Sequence, residues 1–403
     1  MNRRQLLRRL GGLLLGGSVA GTANGTHAMA EADRTVDVPA TLFLCGDVMT
    51  GRGIDQVLPH PGDPTLHEGY ASSALDYVRL AEKAHGPIPH PAAFDYIWGD
   101  ALAEWARVRP DARIVNLETA VTRRDDWQRG KGIHYRMHPA NVPCLTAAKI
   151  DCCTLANNHV LDWGYAGLAE TLETLQSAGR RAAGAGRDQA EAAAPAVLAM
   201  GRGRVLVFAF GTGSSGIPPD WAAGAGTPGV NLLPDLSGAT LRRIADQMHG
   251  ARRAGDVVVA SIHWGGNWGY EVPAAHREFA RGLIDAGAAD VVHGHSSHHP
   301  LGIEVYRERP ILYGCGDFLN DYEGIEGYEA YRGDLSLMYF LTLDAARGRL
   351  RRLWMVPLQM RRFRLQRASA QDTRWLRDRL DREARRLGRA RVEHGTDGLE
   401  LLW

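Results

Sequence analysis

Short apolar runs recur along this chain, and five of them end on residues that bind metals or move protons. Thr41 to Cys45, Arg113 to Val115, Cys152 to Ala156, Val257 to Ile262 and Asp290 to Val292 read as buried strands. Just past them stand Gly46-Asp47, Asn116-Leu117-Glu118, Asn157-Asn158-His159, His263-Trp264-Gly265-Gly266 and Gly294-His295-Ser296-Ser297-His298-His299. Polar residues beyond the carboxyl ends of strands are where α/β folds place chemistry, so the pattern predicts one site assembled from distant segments.

Helical periodicity fills the intervals. A Pro/His/Gly-containing insert from Gly53 to about Ala93 holds one helical stretch, Ser73 to Ala84, and a second covers Phe94 to Ala106. After a polar loop, Thr122 to Pro139, further helices are expected at Asn141 to Lys149, Tyr165 to Ser177, Ala239 to Arg253 and Pro273 to Ala286. They alternate with strands that include Val205 to Phe210, an order that implies a parallel sheet covered by helices and an α/β fold.

Past Gly294 the pattern changes to strands alone: Gly302 to Tyr306, Pro310 to Tyr313, then Leu337 to Leu343 and Leu350 to Val356 as an antiparallel hairpin around Gly348. The combination predicts two sheets packed face to face with helices outside. Ser369, with Asp372 three residues on, opens a last amphipathic helix with Leu376, Leu380, Ala384 and Leu387 on one face. Its arginines, Arg382, Arg385, Arg386 and Arg389, read as the solvated face. No repeat or low-complexity linker divides the chain, so one domain is expected.

Composition changes this picture mainly at the start of the chain. The formal charge of +1 includes Arg3, Arg4, Arg8 and Arg9, the only charged residues among the first thirty. Without them the body is slightly acidic, which argues against nucleic acid as a partner. Those residues, a glycine-diluted apolar stretch from Leu10 to Ala20, and Ala28-Met29-Ala30 together form an export signal of residues 1–30, cleaved after Ala30. Arg3-Arg4 followed by Leu6 and Leu7 resembles a twin-arginine signal, which carries folded proteins to the periplasm or beyond. The alternative is an uncleaved anchor on the outer face of the inner membrane, but the apolar stretch is short for a span. The five cysteines, Cys45, Cys144, Cys152, Cys153 and Cys315, match no disulfide framework and read as small buried hydrophobes, with Cys45 and Cys315 each two residues before an aspartate.

The strand-end residues supply the inventory of a two-metal hydrolytic site, which needs a bridging carboxylate and terminal carboxylate, amide-oxygen and imidazole ligands. Asp47 is a ligand of one metal, Glu118 the bridge, Asn158 an amide-oxygen ligand of the second, and His263, His295 and His298 the imidazoles. Mixed nitrogen and oxygen ligation without thiolate suits one or two ions of manganese, iron or zinc rather than calcium.

The motifs GDVMTGRG, NLETAVT, LANNHVLDWG, HWGGNW, GHSSHHPLGIEVY and PILYGCGDFLNDY, in this order over Thr41 to Tyr322, resemble the CapA family of capsule (poly-γ-glutamate) synthesis proteins. That family lies in the calcineurin-like metallophosphoesterase superfamily. The resemblance implies a four-layer αββα sandwich over residues 38–365, with residues 366–403 as the C-terminal helix and tail. It also implies that Asn158 ligates metal, that His159 acts on the leaving group, and that His263, His295 and His298 fill the histidine motifs. The chain departs from the superfamily at Asp47-Val48-Met49, which lacks the usual histidine two residues after the aspartate. The usual bridging aspartate is replaced by Asn116-Leu117-Glu118, where Glu118 is preferred to Asn116 as the better bridge. The paired histidines are three residues apart rather than two, which makes His299 a rival to His298. Asp317 stands where the family has asparagine and would hold a histidine or a cation behind the ligands.

Other residues carry two readings. Arg52 is either a substrate-binding catalytic residue or half of a salt bridge. Asp162 stabilises the turn after Asn158-His159 or supports the site from behind. Trp264 and Trp268 pack beside their loop or wall the substrate. The histidines of the insert, His60, His67, His85 and His90, have no spacing pattern and receive no role.

For the whole chain two classes of function follow. One is an exported metal-dependent phosphoesterase acting on a phosphorylated or polyanionic envelope substrate, with capsule-assembly proteins as further partners. The other is a non-catalytic envelope protein of the same fold that binds an anionic polymer.

Overall fold

Period-two alternation sorts the strand side chains onto two faces, and the sorting builds the layers. In the computed structural model, which describes residues 39–201 and 203–403, Val205, Val207, Val257, Val259 and Val291 pack against Leu42, Leu44 and Ile114. The intervening Leu206, Phe208, Val258, Ala260 and Ile262 face the other way, onto Ile244 and Met248 of the helix Gly238–Ala251 and Phe279 and Leu283 of the helix Ala274–Asp285. On the far side of the other sheet Phe43 meets Trp105 of the helix Ala101–Val108 edge-on at 5.1 Å. The order of layers is therefore helix, sheet, sheet, helix. The expected export segment, residues 1–30, lies outside the described residues.

One sheet runs from the hairpin Arg391–Gly395 and Gly398–Leu402 through Arg349–Met360, Leu335–Asp344, Pro39–Val48, Ala112–Leu117 and Cys152–Thr154 to Arg181–Ala183. The other has Arg204–Thr212, Val257–His263 and Val291–His295 side by side and parallel. Three register pairings matter for the site. Asp47 lies opposite Asp317 on one side and Asn116 on the other, and His263 lies opposite His295 in the facing sheet.

Several elements differ from expectation. The Phe94 to Ala106 stretch is a short 3-10 turn, Tyr96–Trp98, followed by a separate helix, because Gly99 takes φ +44° against the Leu365 carbonyl. The Asn141 to Lys149 stretch shortens to the helix Pro143–Ala147. The strand expected to stop at Val292 continues to His295, so His263 and His295 are terminal strand residues rather than loop residues. Residues after the last helix, Ala370–Leu387, form the edge hairpin instead of a plain tail. No helix among the described residues is long and apolar enough to cross a membrane.

Candidate functional site

The carboxyl ends of the central strands of both sheets meet, and the strand-end residues with them. Gly46 permits the approach: a Cβ there would lie 1.5 Å from the Gly316 carbonyl oxygen. The backbone of Asp47 donates to that same carbonyl at 3.0 Å, which fixes Asp317 beside Asp47. Two buried donor groups share Asp47. One is Asp47, His263 and His295; the other is Asp47, Glu118 and Asp317; within each, the ligand atoms lie within 4.8 Å of one another.

A hydrogen-bond chain sets the imidazoles. His293 Nε2 must donate to the Cys45 carbonyl at 2.7 Å, because a carbonyl only accepts. Burial pushes His293 down to about 4, so its Nδ1 is bare and accepts from the Ser261 hydroxyl at 3.0 Å. That hydroxyl has one proton, so at 2.8 Å it accepts from His295 Nε2. His295 Nδ1 therefore carries a lone pair, 3.8 Å from Asp47 Oδ1, and accepts from His263 Nδ1 at 2.8 Å. Burial also holds His263 and His295 well below the usual imidazole range, the neutral state a cation requires of its ligands.

The carboxylates repel one another. Burial, and then the neighbouring Asp317, push Asp47 up to about 7. Burial and Asp47 push Glu118 well above its ordinary value. Three buried acids with lone pairs turned together, beside neutral imidazoles, are the chemistry of a divalent-cation site, and the residues present fit one. Asn116 is not part of it. Its Nδ2 donates to Asp47 Oδ1 at 2.7 Å and its oxygen turns to Asn157 and Thr154, which leaves Glu118 as the carboxylate of that motif in the cluster.

The remaining expected residues divide. Asn158 Oδ1 lies 2.9 Å from His263 Nε2, at the cluster's edge. His159 Nδ1 donates to Asp162 Oδ2 at 2.6 Å, and its Nε2 faces Glu118 Oε1 at 3.8 Å. His298 and Asp317 exchange their expected places. Asp317 stands in the carboxylate group, while His298 is outside both donor groups and holds Asp317 through Nδ1 at 2.9 Å. Burial alone would lower His298, but Asp317 raises it. His299 turns away, accepting from the Gly269 N–H at 3.1 Å. Arg52 is enclosed: Nε and Nη2 donate to Asp321 at 2.9 and 2.5 Å, Nη1 to Glu68 at 3.0 Å, and Tyr77 covers the guanidinium at 3.6 Å. Trp264 is buried against His276, and Trp268 stacks on Tyr328. All five cysteines are buried free thiols.

Lys131 joins the site from the polar loop Thr122 to Pro139, to which the sequence assigns no site residue. Its ammonium bonds the Asn158 carbonyl and Asp162 and lies 3.1 Å from His159 Nδ1. A signal did exist, since the chain has three lysines among 47 basic residues and otherwise uses arginine. Tyr135, stacked on His159 at 3.9 Å, and the backbone N–H of Ser296, which reaches Asp47 Oδ2 at 3.1 Å from φ +107°, had no such signal.

The chain is 47% identical over 364 residues to a probable polyglutamine synthesis accessory protein of Mycobacterium tuberculosis, covering 90% of this chain and 96% of that one. It is 28% identical over 306 residues to the PGA biosynthesis protein CapA of Bacillus subtilis, covering 76% of this chain and 68% of the relative. To the capsule biosynthesis protein CapA of Bacillus anthracis it is 22% identical over 321 residues, covering 78% and 67%. Residues 41–322 match the family model described as bacterial capsule synthesis protein PGA_cap, which spans every strand-end motif of the site, and the chain belongs to that family.

Proposed function

We propose that the chain is an exported, metal-dependent phosphoester hydrolase of cell-envelope polymer synthesis. The observation that carries this reading is the pair of buried donor groups sharing Asp47, where three carboxylates and two neutral imidazoles converge. Divalent cations bound there would polarise a phosphoryl oxygen and yield hydroxide at neutral pH. Manganese, iron and zinc all suit the donors.

The chain's own residues supply the rest. Asp162 holds the His159 proton on Nδ1, so Nε2 presents a bare lone pair toward Glu118. Burial lowers His159 to about 4, so the imidazole is neutral at pH 7. It takes a proton at Nε2 from the attacking water and returns it to the departing oxygen, with Asp162 stabilising the imidazolium between the two steps. Asn158 contributes its amide oxygen at the edge of the cluster. Family membership supports the link to capsule or poly-glutamate synthesis, and the signal in residues 1–30 supports a periplasmic or secreted location.

Elemental analysis of protein purified without chelator should find transition metal. His159→Ala should lower turnover of p-nitrophenyl phosphate or bis(p-nitrophenyl) phosphate about 100-fold or more while metal content stays constant. A folded, metal-free protein without turnover would replace this reading by a non-catalytic polymer-binding one.

A further inference from the structure

Beside the cluster lies a cavity of about 670 Å³, whose lining includes His298 and Asn320. Three large apolar side chains that folding leaves in water stand along it: Tyr70, Ile325 and Tyr328, at 70, 43 and 52% exposed. Tyr328 is held in place by Trp268, their rings 4.2 Å apart and 4° from parallel. Exposed aromatic groups gathered at one cavity mark a binding surface rather than random surface residues.

The charges of the lining say what binds. Every basic side chain in it already has a carboxylate partner: Arg52 has Asp321 and Glu68, His85 has Glu323, Arg332 has Asp334 and Asp372, and His298 has Asp317. Glu329, by contrast, has no cationic partner among the described residues. A polyanionic chain would find no unpaired positive charge here and would meet acids. An uncharged ring with hydroxyl groups finds both things it needs. Its C–H face lies on an aromatic ring, and its hydroxyls reach Glu329, Asn267 and Gln359.

We infer that this cavity receives a glycosyl group of the substrate, not a stretch of polyanion. That the sugar is joined to a phosphoester rests on the function proposed above; that the cavity selects an uncharged hydroxylated ring does not.

The test is binding to the full chain as purified, by calorimetry and saturation-transfer NMR. The probes are the methyl glycosides of glucose, galactose and N-acetylglucosamine, together with adenosine and penta-γ-glutamate. At least one glycoside should bind, and Tyr328→Ala, at a ring whose exposure makes it dispensable for folding, should weaken it tenfold or more. Glu329→Gln should weaken it several-fold. The inference is overturned if none of the three glycosides binds, if their binding ignores Tyr328→Ala, or if adenosine or penta-γ-glutamate binds more tightly and depends on Tyr328. Because no turnover is read, glycoside binding by a chain that hydrolyses no phosphoester would remove the hydrolase and leave this assignment standing.

Discussion

At the residue scale the site depends on who holds whom. Asp47 is oriented by the Asn116 amide and the Ser296 N–H, Asp317 by His298 and Asn320, and His159 by Asp162. Lys131 ties the Asn158-His159 turn to Asp162, which is fully buried. Lys131→Met should cost about 2 kcal/mol, less than a bare buried carboxylate would, because Tyr135 N–H and His159 still donate to Asp162. The same change removes a positive charge that lowers His159, so the imidazole should titrate above its present value of about 4. Urea unfolding and NMR titration of the His159 ring read the two effects separately. An unmoved His159 would mean that Lys131 only braces the loop.

At the element scale, local rules hold where an element is set by its own residues and yield where it meets another. Ser369 caps the final helix as its sequence predicts, its Oγ accepting from the Asp372 N–H at 3.1 Å, and Ser369→Ala should cost about 1 kcal/mol in thermal unfolding. Gly46 is different. Nothing in GDVMTGRG says that Gly46 is obligatory, because the atom it avoids, the Gly316 carbonyl oxygen, lies just before the strand Asp317–Leu319, 270 residues later in the chain. Gly46→Ala should therefore destabilise by about 3 kcal/mol or more and should reduce metal uptake, since Asp47 and Asp317 flank that contact. Soluble, fully metal-loaded Gly46→Ala protein would contradict this account of the strand junction.

At the scale of the whole molecule, the carboxylate cluster couples stability to pH and to metal. Asp47 has a folded value of about 7 against an ordinary 3.8, so between those values the native state holds the extra proton. Stability of metal-free protein must then fall as pH rises through that window, by about 1.4 kcal/mol per pH unit at most. After chelation the thermal midpoint should drop from pH 5 to pH 8. Added manganese or zinc should restore it at pH 8 and do little at pH 5, where protons occupy the ligands. A pH-independent midpoint after chelation would rule out a charge-frustrated cluster.

Much of this protein can be read before any coordinates. Apolar runs of strand length, helical periods between them and polar residues at their ends are enough to read the α/β order and to expect Asp47, Glu118, Asn158, His263 and His295 at neighbouring strand ends, because each of these signals is local. Register and facing were not local. The opposition of Asp47 to Asp317, the exchange of places between His298 and Asp317, the enclosure of Arg52 by Asp321 and Glu68, and the approach of Lys131 to His159 all join residues far apart in the chain. Only the tertiary fold, through strand register, loop packing and the facing of the two sheets, brings those groups within a few ångströms, where burial and charge decide which of them holds a proton, which pairs, and which stays open to a ligand.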